Sequence, residues 1–237
     1  MPDGGSFRPR ASDEQRLMTL ALGGAAAFLL VGLVLPLAWL FARAFQDASG
    51  GFAGLANFAE YVATPNLAAS AWNSLWTAAL TTLLVVPAAF LYAYALTRSC
   101  MPGKPVFRAV MLLPVLAPSL LPALALVYLF GNQGMLRGLL MGESLYGPIG
   151  IIMAQVFYCF PHAALILCVA LSGADGRLYE AAAALKAGRG RIFLTVTLPG
   201  ARGGLISAAV VVFTLVVTDF GIPKVIGGQF PVLATEV

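Results

Sequence analysis

Residues 148–171 read PIGIIMAQVFYCFPHAALILCVAL, an apolar run without a single Asp, Glu, Lys or Arg. A helix that crosses a membrane needs about 20 mostly apolar residues. A membrane β-strand would instead show about ten residues of alternating polarity, and this run does not alternate. The stretch therefore predicts a transmembrane helix.

The composition of the whole chain extends that prediction. Hydrophobic residues make up 60% of the 237 residues and charged residues 10%, against about 25% charged residues in soluble domains. A soluble chain of this length could not hide so much apolar surface in one core, whereas a bilayer also solvates the outside of a protein. The net charge of +4 comes from Lys and Arg spread over loops, without the basic stripe of a nucleic-acid binder. We expect a protein surrounded by membrane lipid that binds no nucleic acid.

Four further apolar runs accompany the first. The predicted spans are residues 17–45, 69–97, 108–130, 148–171 and 204–217. Residues 1–16 are polar, and the run after them is too long for a cleaved signal peptide, so we expect a retained first span. The predicted fold class is all-α, a polytopic transmembrane helical bundle with about five spans.

The segments between the runs give finer predictions. Pro114, Pro118 and Pro122 predict a kink or local unwinding in the third span. Residues 131–147 predict a mixed loop with a short helix over 135–141. The tail, residues 218–237, is polar, and we expect it not to re-enter the membrane.

The distribution of Lys and Arg predicts the orientation. Of the 14 Lys and Arg residues, all but Arg43, Arg137 and Lys224 fall on one side of the predicted spans. Positive charge is retained in the cytoplasm. We therefore expect a multi-pass protein whose N-terminus and charged segment 172–203 are cytoplasmic.

Within that segment, residues 175–199 predict a short amphipathic helix. Asp175 is a suitable N-cap, and the alanine run 181–184 favours helix. Gly188 and Gly190 are expected to end the helix, and Pro199 suits the first turn of the next one. Leu178, Ala181 or Ala182, and Leu185 share one face at helical spacing. Such a helix either lies on the membrane surface or docks into a groove of a soluble partner.

The same residues resemble the signature loop of permease subunits of binding-protein-dependent ABC importers, whose fold is shared by methionine and maltose permeases. In that loop Glu-Ala-Ala precedes a glycine and then Leu-Pro at fixed spacing. Here Glu180-Ala181-Ala182 and Leu198-Pro199 match the pattern. The family glycine, six residues after the glutamate, is Lys186 here, and Gly188 is the alternative position for the turn.

The resemblance covers most of residues 73–237. Asn73-Ser74-Leu75 resembles the start of the family's core domain. The sequence Thr218-Asp219-Phe220-Gly221-Ile222-Pro223 resembles permeases for ferric iron and for 2-aminoethylphosphonate, and the run 213–228 is most similar to the second group. By this resemblance, residues 69–237 form a core domain that is incomplete at its C-terminus, because the family has one further span. Some aminoethylphosphonate permeases join two such halves in one chain, so by this resemblance we expect either a fragment or a first half.

The resemblance implies a transport subunit of the bacterial inner membrane, not an enzyme. It implies two cytoplasmic ATPase subunits, a second permease domain and an extracytoplasmic solute-binding protein as partners. ATP and Mg²⁺ would be bound by the ATPase, since this chain has no phosphate-binding GxxxxGK[ST] loop. The implied substrate is 2-aminoethylphosphonate or a related phosphonate, with ferric iron or another small solute as the alternative. The residues implied for the ATPase-coupling loop are Leu178, Glu180, Ala181, Ala182, Leu185, Gly188, Leu198 and Pro199.

Polar residues on or beside the spans are candidates for the solute pathway. Ionisable groups near a membrane are functional candidates by default, and Asp219 follows the fifth span, although a solvated helix end would explain it equally well. Each remaining candidate either faces the pathway or forms a hydrogen bond between helices. Those candidates are Asn73, Thr77, Tyr128, Gln155 and Tyr158.

Two other classes of protein remain open. A secondary transporter driven by an ion gradient places ionisable residues at mid-membrane within a repeated fold; here the spans are almost free of charge and show no clear repeat. A membrane scaffold would use the loop helix only to hold a partner. His162 and the three cysteines, Cys100, Cys159 and Cys168, show no metal-ligand spacing, so no metal site is expected.

Overall fold

A computed structural model describes residues 13–47 and 49–236. The described residues are helical apart from loops and an isolated antiparallel bridge between Gln46 and Phe52. The predicted all-α fold class is confirmed. The chain divides into two compact units, one up to Thr64 and one from Pro65.

The first unit is one long apolar helix followed by a short one. Helix α1 (Asp13–Leu29) continues through a π-helical turn (Leu30–Val34) into α2 (Leu35–Ala44), and α3 (Ala56–Ala63) follows a loop. The Asn57 amide donates hydrogen bonds to the carbonyl oxygens of Ala44 and Gln46, both at 2.9 Å, and so fixes the loop. The side chains of the long helix are exposed within this unit, as expected of a helix in contact with lipid.

The second unit contains the remaining helices. Their bounds are α4 (Pro65–Arg98), α5 (Lys104–Leu112), α6 (Leu120–Phe130), α7 (Pro148–Ser172), α8 (Gly176–Ala184), α9 (Arg189–Ile192), α10 (Leu198–Gly200), α11 (Arg202–Val217), α12 (Gly221–Ile226) and α13 (Leu233–Glu236). Two 3₁₀ turns (Leu113–Leu116 and Arg137–Leu140) and one π-helical turn (Phe193–Thr197) lie between them.

Among the described residues, three helices are long and apolar enough to cross a membrane. They are Gln15–Ala44, Pro65–Arg98 and Pro148–Ser172. Two bent pairs raise the number to five if each counts as one span: Lys104–Leu116 with Leu120–Phe130, bent by 102°, and Arg189–Gly200 with Arg202–Val217, bent by 60°. The 102° bend lies at Pro118, so the break predicted in the third span is present. It is a sharp break rather than a gentle kink.

Helices α4, α7 and α11 form the main core. Its largest buried side chains include Phe90, Leu96 and Leu167. Much of the remaining contact is made by fully buried alanines, such as Ala89, Ala163 and Ala208. Small residues let helix backbones approach closely, and that is how helices associate where lipid is as apolar as the side chains.

A second core cluster lies where α6, the first half of α7 and α12 meet. Leu126, Ile151, Ile222 and Ile226 are four of its eight buried members. The sequence predicted only a polar tail after residue 217, and that was incomplete. Residues 221–226 form a helix whose apolar side chains are buried against α6 and α7. The sequence did not indicate this helix because six residues are too few to show a clear period.

Candidate coupling helix and polar sites

Helix α8 begins as the sequence predicted. Asp175 has an extended backbone, and its Oδ1 accepts a hydrogen bond from the backbone N–H of Arg177 at 2.9 Å. An aspartate at this position satisfies one of the unpaired N–H groups at a helix start. The helix then runs through the alanine-rich stretch to Ala184.

The end of α8 differs from the prediction. The backbone of Lys186 is left-handed, with φ of 54°. The N–H of Lys186 donates to the Ala183 carbonyl at 2.9 Å, and the N–H of Ala187 donates to Ala182 at 3.0 Å. This pair of bonds is a Schellman motif, whose left-handed residue is usually glycine.

Gly188 and Gly190 therefore do not end α8, and the expectation that they would was wrong. Gly188 is the N-cap of α9 and has an extended backbone, with φ of −67° and ψ of 157°. The turn occurs at Lys186, the position where the resembling family has glycine. The two hydrogen bonds of the Schellman motif form here although the left-handed residue is lysine. A residue other than glycine in this conformation costs about 1–2 kcal/mol.

Much of the surface of α8 is exposed. Leu178 is 56% exposed and Leu185 is 83% exposed, while Glu180 and Ala181 are exposed and Ala182 is half-buried. These residues are the predicted coupling-loop residues on α8 and its C-cap. Leu178 and Leu185 are seven residues apart and share one side of the helix, whereas Glu180, two residues from Leu178, points elsewhere. Exposed leucines of this size form a surface that a partner protein can cover.

Helix α8 is attached to the bundle through Tyr179. The hydroxyl of Tyr179 donates to Oγ1 of Thr197 at 3.1 Å. The guanidinium of Arg98 lies 4.3 Å from the centroid of the Tyr179 ring, within the range of a cation–π interaction. Arg98 also donates to the carbonyl of Leu171 at 2.8 Å. The side chains of Arg98, Tyr179 and Thr197 were not predicted from the sequence. The available signals were a basic residue at the end of a span and an aromatic residue next to Glu180.

The segment after α9 leads into the last long helix. Leu198 is 37% exposed, and Pro199 is exposed and lies in α10. Pro199 lies one residue before the end of the continuous helical segment Arg189–Gly200, so the prediction that it starts the next helix was wrong. A 60° bend separates this segment from α11.

The polar candidates on α4 and α7 form hydrogen bonds within the chain. Asn73 donates from its amide to the carbonyl of Pro231 at 2.9 Å. Thr77 donates to the carbonyl of Asn73 at 2.7 Å. Gln155 is 1% exposed, and its Oε1 lies 3.4 Å from Oγ1 of Thr81. Asn73 and Gln155 thus form hydrogen bonds to distant parts of the chain, which supports the structural alternative over a direct role in the pathway.

The two tyrosine candidates differ in exposure. Tyr158 is half-buried on α7, and its ring centroid is 5.3 Å from that of His162. Tyr128 is 79% exposed on α6. The structure does not bring Tyr128 together with the other candidates.

Asp219 lies where two helix breaks meet. Its carboxylate accepts hydrogen bonds from the backbone N–H groups of Gly221 at 3.2 Å and Ile222 at 3.3 Å, and from the Ser119 hydroxyl. A Cβ added to Gly221 would lie 2.6 Å from Oγ of Ser119, so glycine permits the close approach. Asp219 is only 8% exposed, so the solvated helix end considered from the sequence was wrong.

A polar cavity of about 650 Å³ lies near the start of α4. Asn73, Lys224 and Gln229 are among its lining residues, together with Asn66, Thr235 and Glu236. Asn73 is the only sequence-predicted candidate that borders it. Among the described residues, no group of three or more His, Cys, Asp or Glu side chains could hold a metal ion.

Comparisons with known proteins extend these observations. The family model for the "Binding-protein-dependent transport system inner membrane component" matches residues 87–236, which include α8 and Asp219. A solved chain from a bacterial ABC transporter involved in the import of the polysaccharide alginate superposes with a TM-score of 0.76. The match covers 94% of this chain and 82% of that chain at 17% identity, so the likeness is one of fold.

Three curated relatives show the range of the sequence similarity. The molybdenum transport system permease protein ModB of Escherichia coli is 32% identical over 157 residues, covering 62% of this chain and 66% of that protein. The probable sulfate transport system permease protein cysT of Nephroselmis olivacea is 26% identical, covering 92% and 76%. The thiamine transport system permease protein ThiP of Brucella abortus is 30% identical, covering 80% and 35%.

The chain thus spans just under two thirds of the Escherichia coli relative and about a third of the Brucella abortus relative. The family model, in contrast, covers well over half of this chain. This chain belongs to the family of binding-protein-dependent transport system inner membrane components.

Proposed function

We propose that this chain is a permease subunit of an ABC importer, forming part of the solute pathway and coupling it to a cytoplasmic ATPase through α8. The observation that carries the proposal is that α8 is held to the bundle through one residue while the others remain exposed. Tyr179 contacts the bundle, whereas Leu178, Glu180 and Leu185 are exposed.

The exposed face suits a groove on a soluble protein. An amphipathic helix docks by placing its apolar side chains in such a groove. Burying a leucine completely contributes about 1.5–3 kcal/mol, so Leu178 and Leu185 could together supply most of the docking energy. Glu180 then adds specificity, because a carboxylate selects a basic or N–H-rich partner surface.

In the proposed mechanism, ATP and Mg²⁺ bind to the ATPase subunits and not to this chain. Closure of the ATPase pair moves the docked α8 helices, and that movement switches the pathway between its two orientations. The partners are the ATPase pair, a second permease domain and a solute-binding protein on the opposite side of the membrane. The similarity to an importer of known fold supports this assembly in outline.

We place the protein in the bacterial cytoplasmic membrane, with its N-terminus and α8 on the cytoplasmic side. The support is the distribution of charge, since Arg177, Lys186, Arg189 and Arg191 are all exposed around α8. Lys and Arg in short loops are retained in the cytoplasm.

For the solute we propose 2-aminoethylphosphonate or a related phosphonate. The support is the resemblance of residues 213–228 to permeases of that group. The relatives above are named for molybdenum, sulfate and thiamine. Sulfate shares a tetrahedral oxyanion group with phosphonates, whereas thiamine does not. Because the relatives are named for such different solutes, ferric iron or another small solute is the alternative.

An ion-coupled secondary transporter is the second candidate, and buried Asp219 is the observation that favours it. Carboxylates inside membrane proteins often carry coupling protons or ions. Against this reading, the carboxylate already accepts two backbone N–H groups and the Ser119 hydroxyl. A structural cap explains those bonds without an ion.

The deciding experiment uses the assembled complex of this chain, its ATPase and its binding protein in proteoliposomes. Glu180→Arg should lower ATP-driven uptake at least tenfold and weaken co-purification of the ATPase. Glu143→Arg is the matched control, because Glu143 is an exposed glutamate far from α8 in the sequence. Full uptake by Glu180→Arg would refute the coupling role, and uptake that follows an ion gradient without ATP would favour the second candidate.

The same vesicles test the solute. Uptake of labelled 2-aminoethylphosphonate is compared with uptake of sulfate, molybdate, ferric iron and thiamine, each with the cognate binding protein present. A clear preference for any solute other than a phosphonate would refute the substrate proposal and leave the coupling role intact.

A further inference from the structure

The last turns of α4 contact both α8 and the π-helical turn that follows α9. Phe90, Tyr94 and Arg98 are spaced four residues apart, so they lie along one side of the helix. The Phe193 ring, which follows α9, has its centroid 6.0 Å from that of Phe90 and 5.7 Å from that of Tyr94. Arg98 covers the ring of Tyr179, on α8 itself. We call the residues Phe90, Tyr94 and Arg98 the α4 contact face.

Arg98 and Tyr179 together connect α4, α7 and the segment that leads into α11. Arg98 belongs to α4 and donates to the carbonyl of Leu171 at 2.8 Å, in the last turn of α7, where helix carbonyls lack partners within the helix. Tyr179 donates to Thr197, which is 1% exposed and lies in the π-helical turn ahead of α11. A displacement of α8 would therefore strain contacts to α4, α7 and the segment leading into α11 at the same time.

The far end of α4 carries the buried polar residues. Ser74, Thr77 and Thr81 are all less than 5% exposed, and Asn73 and Ser74 bond the segment 231–233. Helix α4 has 34 residues, which is about 50 Å at 1.5 Å per residue. One continuous helix thus connects the contact face with the polar cluster and the cavity beside it.

We propose that Arg98 and Tyr179 are positioning residues through which movement of α8 enters α4, so that they set how much solute moves for each ATP hydrolysed. The inference rests on the proposed function. Arg98 and Tyr179 lie outside the Glu-Ala-Ala pattern, and their proposed role is to transmit the movement of α8, not to bind the ATPase. Neither residue is proposed to contact ATP or solute.

The chemistry of the pair makes separate predictions for each substitution. Arg98→Gln removes both the cation over the ring and the forked donor, whereas Arg98→Lys keeps a charge but loses the planar fork. Tyr179→Leu removes the ring and the hydroxyl. Tyr179→Phe keeps the ring for Arg98 and loses only the bond to Thr197.

The test measures solute taken up per ATP hydrolysed, in proteoliposomes that hold the complete complex. We expect Arg98→Gln and Tyr179→Leu to lower this ratio at least fivefold, with ATPase co-purification and basal ATP hydrolysis unchanged. Tyr179→Phe should stay within twofold of wild type, and Arg98→Lys should fall between. Arg137→Gln is the matched control, since Arg137 also donates to a backbone carbonyl, that of Asn132 at 2.9 Å, but at an exposed position.

An unchanged ratio in both strong variants would overturn the inference. That result includes an equal fall in uptake and ATP hydrolysis, because loss of folded complex lowers both without changing the ratio. If Arg98→Gln does not assemble, Arg98→Lys and Tyr179→Leu decide by the same ratio. A wild-type complex without ATP-driven uptake would refute the proposed function itself, and that outcome is distinct from a normal wild type with unaffected variants.

Discussion

Gly204 packs directly on Ala170, so that a Cβ added to Gly204 would collide with the Cβ of Ala170. The contact joins the start of α11 to the end of α7, close to the attachment of α8. Helices in lipid gain little from the hydrophobic effect between them, so close backbone approach supplies much of their packing energy.

Gly204→Ala should therefore destabilise the protein, because a methyl group must displace one helix. Overpacking of this kind costs about 1–3 kcal/mol, which corresponds to a fall in Tm of several degrees for a chain of this size. Gly203→Ala is the control one residue away, where an added Cβ meets nothing within 4 Å. Thermal unfolding of both purified variants in detergent measures the difference, and equal Tm values would contradict the packing described.

The sequence was informative where structure depends on local chemistry. The Asp175 cap, the helix after it, the long apolar helices and the break near Pro118 all follow from residues close to one another in the chain. The attachment of α8 does not, because Arg98, Leu171, Tyr179 and Thr197 come from four separate segments. No period or motif in the sequence indicates that they meet.

The polar residues of the spans show a second limit. A helix surrounded by lipid and by other helices is apolar on every side, so its sequence does not tell which way a threonine or glutamine points. Gln155 is buried while Tyr128 is exposed, although both looked alike as candidates. For Asp219 the sequence left a solvated helix end and a functional group equally open. The residue is 8% exposed and accepts the first N–H groups of the six-residue helix α12, which the sequence did not indicate.

Lys186→Gly should stabilise the end of α8. Glycine adopts the left-handed conformation without the steric cost that lysine bears, so we expect a gain of about 0.5–1 kcal/mol. Lys186→Val should have the opposite effect, since β-branched residues tolerate positive φ least. The measurement is Tm of the purified protein, together with ATP-driven uptake by the complex.

Gly188→Ala provides the comparison for that pair. Gly188 has an ordinary extended backbone, and an added Cβ meets nothing within 4 Å, so alanine should be tolerated with little change in Tm. If Gly188→Ala were as damaging as Lys186→Val, the turn would lie at Gly188 as the sequence first suggested.

Asp219→Asn should separate a structural cap from an ion-coupling carboxylate. Asparagine keeps one of the two oxygen acceptors, so it can accept from the backbone N–H of Gly221 or of Ile222 but not from both. Because part of the cap remains, ATP-driven uptake should stay within about threefold of wild type. Asp219→Ala leaves those groups without the cap and should cost about 0.5–2 kcal/mol. Uptake and Tm are measured for both variants.

An ion-coupling role predicts a different pattern for Asp219. Both variants would then abolish uptake alike, whatever their Tm, because neither side chain can carry the charge. Glu143→Gln, which neutralises an exposed carboxylate, controls for the change in net charge.

Ser74→Ala should loosen the attachment of residues 231–236 to α4. Oγ of Ser74, a residue only 4% exposed, accepts the backbone N–H of Leu233 at 2.7 Å. Its loss leaves a half-buried donor without this partner, at a cost of about 1 kcal/mol. Hydrogen–deuterium exchange should accelerate in peptides that contain Leu233. Ser144→Ala is the matched control, because Oγ of Ser144 also accepts a backbone N–H, that of Tyr146 at 3.1 Å, but at an exposed position where water can replace it. Equal exchange in the two variants would mean that the Ser74 bond does not hold residues 231–236 against α4.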